Sequence, residues 1–160
     1  MMSQLPIAVT DLLGQWQADD LLSPSGAGKG AIRAVERECG YELPVPMREF
    51  YLEHDGMYDG AMDRCMFSLW PANRILEAWK DDSTQVGPRW TGALGLAFAD
   101  FLIDSHRFRI VLEGPRRGAV LIDHGNQSAE VADSFISFLE KVAQSDQALL
   151  MFPRDDATTA

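Results

Sequence analysis

Three carboxylates recur every fourth residue in "HDGMYDGAMDR": Asp55, Asp59 and Asp63. Carboxylate oxygens are what hard divalent cations bind, so the chemistry of this run needs testing first. The order is wrong for a calcium loop. Gly56 and Gly60 fall at unsuitable offsets, and no Glu closes the segment. The run therefore reads as a solvated acidic loop. "SPSGAGKGA", residues 23–31, looks like a phosphate loop, but that pattern needs a Gly where Ser23 stands and a hydroxyl where Gly30 stands. It reads as a flexible lead-in to a helix.

The remaining reactive side chains are few. His54, His106 and His124 fall at expected helix-end or turn positions, and none has a Ser, Cys or second His at useful spacing. Each reads as a capping or solvated group. Cys39 and Cys65 lie in apolar runs and read as small core residues, with no CxxC or Cys/His spacing for a metal. Serine-hydrolase, zinc-protease and dinucleotide fingerprints are lacking. The expectation is a protein without catalytic residues, metal or cofactor. A hydrolase or metal-dependent enzyme built on Asp55, Asp59 and Asp63 stays as a third hypothesis.

The elements that position these residues follow from periodicity. Thr10 caps a first helix through about Asp20, with Leu12, Leu13 and Trp16 on its apolar face. A second runs roughly from Gly30 to Cys39 with Ile32, Val35 and Cys39 in one stripe, and Gly40 ends it. "YELPVP" is extended, because a residue before proline avoids the helical region. Pro46 opens a third helix through His54, carrying Met47, Phe50 and Tyr51, and Asp55-Gly56 stops it. "CMFSLW", residues 65–70, is a short strand; "ANRILEAWKDD" is a short helix; "STQVGPRWTG" is a loop. "LGLAFADFLID", "RFRIVLE" and "GAVLID" are strands, and Asp133 or Ser134 caps a last helix with Phe135, Ile136, Phe138, Leu139 and Val142. Helices, then an antiparallel meander, then a helix make an α+β chain, not a βαβ one. The expected sheet has about four to six antiparallel strands, packed with helices from the N-terminal half and one C-terminal helix. One domain spans residues 1–160, with its core at about 10–152 and a frayed tail at 153–160.

A two-residue turn at Ser105-His106 makes the meander specific. It sets Asp104 opposite Arg107, Ile103 opposite Phe108, Leu102 opposite Arg109 and Phe101 opposite Ile110. Phe101, Ile103, Phe108 and Ile110 then face the core, and Asp100, Leu102, Asp104, Arg107 and Arg109 face outward. A second hairpin through "EGPRRG" pairs Leu112 with Ala119 and Ile110 with Leu121, which puts Val111, Val120 and Ile122 outside with Leu102. An outer face with four aliphatics is either covered by another element or used for contact. If it is open, changing Leu102 and Val120 to Lys leaves the fold intact.

The chain has 160 residues and a net charge of -10. That balance disfavours direct binding to nucleic acid or anionic lipid and suits a soluble protein or a basic partner. The first residues lack the pattern of a signal peptide, and no run is long enough to span a membrane. The expected setting is a reducing cytoplasm.

"AIRAVERECGYELPVPMREFYLEHDGMYDGAMDRCMFSLWP", residues 31–71, resembles the core motif of the SUKH superfamily, which includes fungal cell-wall-assembly regulators (the Smi/Knr type) and bacterial immunity proteins. The matching residues are Glu36, Gly40, Leu43-Pro44, Phe50-Tyr51 and Asp55-Gly56; Asp55 stands where the family often has Asn. Residues 98–112 resemble the family's central hairpin and residues 131–142 its closing helix. The resemblance implies an α+β fold, no enzymatic activity and action by protein binding. It implies above all an immunity protein that neutralises a cognate polymorphic toxin of nuclease or deaminase type. The alternative is a SUKH-type scaffold in ordinary cell physiology. An acidic chain complements the basic face of a nucleic-acid-degrading toxin. Tyr58, Trp90, Asp100, Leu102, Asp104, Arg107, Arg109, Val120 and Ile122 are the candidate partner-binding residues, because loop aromatics and charges near an apolar strand patch make interface anchors. A homodimer through the same face is a further expectation.

Overall fold

The computed structural model describes residues 5–23, 25–85, 89–90, 93–103, 106–124 and 127–144. Helix α1 spans Ile7–Ala18, and Pro6 rather than Thr10 precedes its first turn. The Pro6 carbonyl accepts from the N–H groups of Val9 and Thr10, both at 3.0 Å. Val9, Leu12, Leu13 and Trp16 form its buried stripe. Helix α2, Lys29–Cys39, buries Ile32, Val35 and Cys39 and ends at Gly40, whose φ of 83° only glycine adopts without strain. Helix α3, Val45–Glu53, has Pro46 in its first turn, where a missing N–H costs little, and buries Met47, Phe50 and Tyr51.

Strand β1, Phe67–Leu69, leads into α4, Ala72–Gln85, which absorbs the first three residues of the expected loop. A two-residue strand β2, Arg89–Trp90, follows in that same stretch. Then come β3, Ala93–Phe101; β4, His106–Val111; β5, Val120–His124; β6, Gln127–Ala132; and α5, Phe135–Ala143. Ser134 caps α5, its hydroxyl accepting from the Ser137 N–H at 3.0 Å. The sheet is antiparallel in the order β1-β3-β4-β5-β6, with β2 on β3. This is the expected α+β architecture.

One face of the sheet carries the aromatic core. Phe108 and Phe138 have ring centroids 4.8 Å apart, Phe98 and Phe135 5.7 Å, and Phe50 and Phe135 5.3 Å. Offset and edge-to-face pairs of this kind add to the area they bury.

The register corrects the sequence reading in two ways. In the first hairpin Phe101 pairs with His106, Asp100 with Arg107 and Ala99 with Phe108. The displacement from the expected register is even near the turn, so Phe101 and Phe108 still face the core, and Asp100 and Arg107 still face outward. Leu102 and Ile103 leave the strand instead. Ile103 is not a core residue; it is 68% exposed, and Leu102 is 38% exposed. A bulge between Ala97 and Ala99 turns both Phe98 and Ala99 inward. Asp104 and the expected turn at Ser105 lie outside the described residues.

In the second hairpin Ile110 pairs with Val120 and Phe108 with Ile122. That is one residue from the expected register, and an odd slip reverses every side chain of β5. Val120 and Ile122 are therefore in the core, each 0% exposed, and not on the outer face. Val111, Ala119 and Leu121 occupy the outer face as a small buried cluster. Of the two positions named for lysine changes, only Leu102 lies on exposed surface; Val120 is in the core, where a lysine has no water to solvate it. Cys39 is buried as expected, whereas Cys65 is exposed.

Candidate functional site

The family-like signature is a set of joints. The Glu36 carboxylate accepts from the Leu43 N–H at 2.8 Å and from Arg48 Nε and Nη2 at 3.1 and 2.7 Å. It ties α2 to the Leu-Pro turn and to α3, and its hydrogen bond, with its charge adding, raises the pKa of Arg48 against the opposing effect of burial. Tyr51 donates its hydroxyl to the Trp70 carbonyl at 2.6 Å. Burial, with Asp55 adding, pushes that phenol well above its ordinary value. Asp55 Oδ1 accepts from the Ala72 N–H at 2.8 Å and so caps α4. Gly56 has φ 65°, and a Cβ there would lie 2.5 Å from the Trp70 oxygen. These contacts fix the loop after α3 against the junction of β1 and α4.

That loop, the end of β3 and the start of α4 form the candidate site at the β1 edge of the sheet. Trp70 donates Nε1 to Asp100 Oδ2 at 2.6 Å. Arg74 Nη2 lies 3.4 Å from the same oxygen and its Nη1 3.8 Å from Asp59. The Arg74 guanidinium sits 4.3 Å from the centroid of the Trp70 ring and that of Arg107 5.2 Å, so two cations flank one buried indole. A cleft of about 100 Å³ opens beside them, lined by Gly60, Ala61, Met62, Arg74, Asp100 and Ile103 among others. It is well below the ~300 Å³ at which small-molecule pockets begin. It suits a single projecting side chain. Around it stand the exposed Ile103, Leu102 and, in the adjoining loop, Tyr58 at 50% exposure. Leu102 and Ile103 both have positive φ, 57° and 53°, and the Leu102 N–H bonds to the Met66 carbonyl at 3.0 Å. A β-branched residue in that conformation is rare, because its Cβ crowds the carbonyl that follows.

The structure sorts the sequence-derived candidates. Tyr58 and Leu102 are exposed, Arg107 is half-buried, and Asp100 is buried. Arg109 does not rim a free patch: it is 3% exposed and pairs with Asp123, which also accepts from the Ser128 hydroxyl at 2.8 Å. Gly95 makes room for this arginine, since a Cβ there would come 3.2 Å from Arg109 Cβ. Val120 and Ile122 belong to the core and form no part of the site. Trp90 is on β2, paired with Ala93, and its side chain lies outside the described residues. Ile103 and Arg74 were missed. Ile103 alternates with Phe101, and only the early end of β3 removes it from the core face. Arg74 carries no local signal at all.

The acidic run does not converge on a cation. Asp55 caps a helix, Asp59 faces Arg74, and Asp63 accepts from Trp16 Nε1 at 3.1 Å and from the N–H groups of Cys65 and Phe67 at 2.8 and 3.0 Å. Among the described residues no cluster of His, Cys, Asp or Glu could hold a metal. His54 lies against the Phe50 ring at 5.3 Å, and burial lowers its pKa, with Glu53 opposing. Burial raises the Cys39 thiol, so it is a poor nucleophile. No helix of the described residues is long and apolar enough to cross a membrane.

No curated protein matches the chain significantly in sequence. The description of the SMI1 / KNR4 family (SUKH-1) matches residues 26–141, from the lead-in to α2 to the last turns of α5. With the signature residues forming the joints just described, and with a match over well more than half its length, the chain belongs to the SMI1 / KNR4 (SUKH-1) family.

Proposed function

We propose that this chain is a non-enzymatic protein-binding module that neutralises a toxin domain of nuclease or deaminase type by covering its basic face. The observation that carries the reading is the sheet-edge tip. Leu102 and Ile103 present aliphatic surface beside a cleft of side-chain size, on a backbone held by the Trp70–Asp100–Arg74 network. Interfaces concentrate their energy in a few anchors, Trp, Tyr and Arg above all, and Arg74 lines this cleft with Tyr58 exposed in the adjoining loop. Family membership supports the reading, because SUKH-type proteins often confer toxin immunity. The net charge of -10 supports it too, because it steers the chain toward a basic partner and repels nucleic acid.

The test is co-expression in a bacterial host with the toxin domain encoded beside this gene. The reading predicts restored growth and an equimolar complex that weakens as salt rises. A purified toxin domain that keeps full activity in the presence of excess chain would overturn it, as would a gene with no toxin beside it and an envelope defect on deletion.

A further inference from the structure

A groove between α2 and α3 differs in charge from the rest of this acidic chain. It has a volume of about 330 Å³. Ile32, 3% exposed, forms its floor, and Leu52, 37% exposed, stands on the α3 wall. Val45, Arg48 and Leu52 share one face of α3, at i, i+3 and i+7, and Val45 is 59% exposed. Glu36 and Glu42, also in the groove, are already engaged by Arg48. That leaves Lys29 and Arg33 on the α2 wall. Both are exposed, and among the described residues neither forms an ion pair.

Among the described residues no ion pair ties these two cations to the fold. They are four residues apart on one helix face, where like charges repel. Lys29 lies in the first turn of α2, which has no acid and no side-chain cap, and the helix dipole disfavours a cation there. A local arrangement that works against its own helix, beside a groove with the exposed Leu52 on its far wall, marks a surface made for something else.

We propose that the groove binds an acidic peptide segment with aliphatic anchors, its carboxylates on Lys29 and Arg33 and an aliphatic side chain between Ile32 and Leu52. The exposed Leu52 on the wall and Val45 on the same face of α3 argue for an occupant with an aliphatic side chain over a free anion. A polyphosphate would need more than the two cations that the groove, among the described residues, leaves without an ion pair. This surface lies on different elements from the sheet-edge tip, so either assignment can fail without the other.

The probe is a short fluorescein-labelled peptide of Glu and Asp with Leu at i and i+4, titrated against the full chain by fluorescence anisotropy. The proposal predicts saturable binding that weakens with salt. Two exposed charge pairs correspond to about tenfold in affinity, which the double change Lys29→Glu and Arg33→Glu should remove. Leu52→Asp should do the same. Lys29→Glu alone should leave the thermal midpoint unchanged or raised, because it relieves the repulsion, and Arg64→Ala, remote from the groove, should leave affinity unchanged. Absence of saturable binding overturns the proposal. So does equal binding of a peptide with Ser in place of Leu. A concentration-dependent dimer in sedimentation, lost on Lys29→Glu and Arg33→Glu, would assign the groove to a second copy and overturn it as well.

Discussion

Removing Glu36 separates a joint from a contact residue. Glu36→Ala deprives the Leu43 N–H of its acceptor, and Leu43 is 4% exposed. An amide left without a partner at such depth costs about 1–3 kcal/mol. The Arg48 pair contributes less, because the Arg48 side chain is 31% exposed and that of Glu36 16%, and Arg48 keeps Glu42 at 3.4 Å. Solvent screening holds that part to about 0.5–1 kcal/mol. The expected loss is about 1.5–4 kcal/mol in all. Urea unfolding followed by circular dichroism reads it as a midpoint lowered by about 1–2 M at unchanged slope, for a slope near 2 kcal/mol/M. In a double-mutant cycle with Arg48→Ala the two losses should sum to more than the double variant shows, by about 0.5–1 kcal/mol. An unchanged midpoint, or strict additivity in the cycle, would refute the reasoning. An unchanged midpoint together with lost partner binding would make Glu36 part of an interface.

Gly56→Ala should destabilise by about 2 kcal/mol or more, read as a lowered thermal midpoint, because the new Cβ meets the Trp70 carbonyl at 2.5 Å and the backbone has φ 65°. Leu102→Lys should keep the wild-type dichroism spectrum and Val120→Lys should lose it, since position 120 is 0% exposed and cannot solvate an ammonium. His54 sets a pH dependence. Burial holds its folded pKa below the ordinary 6.5, so the unfolded chain takes up the proton first as pH falls, and stability drops from about pH 6.5 downward to the folded value. Thermal midpoints measured above and below that window should differ more for the native chain than for His54→Gln.

Much of the fold was legible because its signals are local. The stripes Leu12–Trp16, Ile32–Cys39 and Met47–Tyr51 fall on α1, α2 and α3, and Gly40 and Ser134 cap where their chemistry says. Strand β6, "QSAEVA", was not read, because it is short and polar and takes its place by pairing with β5. The site suffered most from register. Turn length fixes which residues face each other, and the turns lie in "LIDSH" and "EGPRRG", which do not name their own length. An even displacement left Phe101 and Phe108 on the right face, and an odd one moved Val120 and Ile122 into the core. The alternation was right; its phase was not. The buried pairing of Arg109 with Asp123 and of Asp100 with Trp70 depends on contacts between distant residues that a single sequence does not display.

The most direct measurement of the central claim is calorimetric titration of the chain and its Ile103→Asp variant against the toxin domain encoded beside it. Ile103 is 68% exposed, so the variant should keep its thermal midpoint. Docking through the sheet-edge tip predicts a loss of about tenfold or more in affinity, from the apolar area no longer buried and the charge left facing it. Affinity equal to that of the native chain would contradict the account.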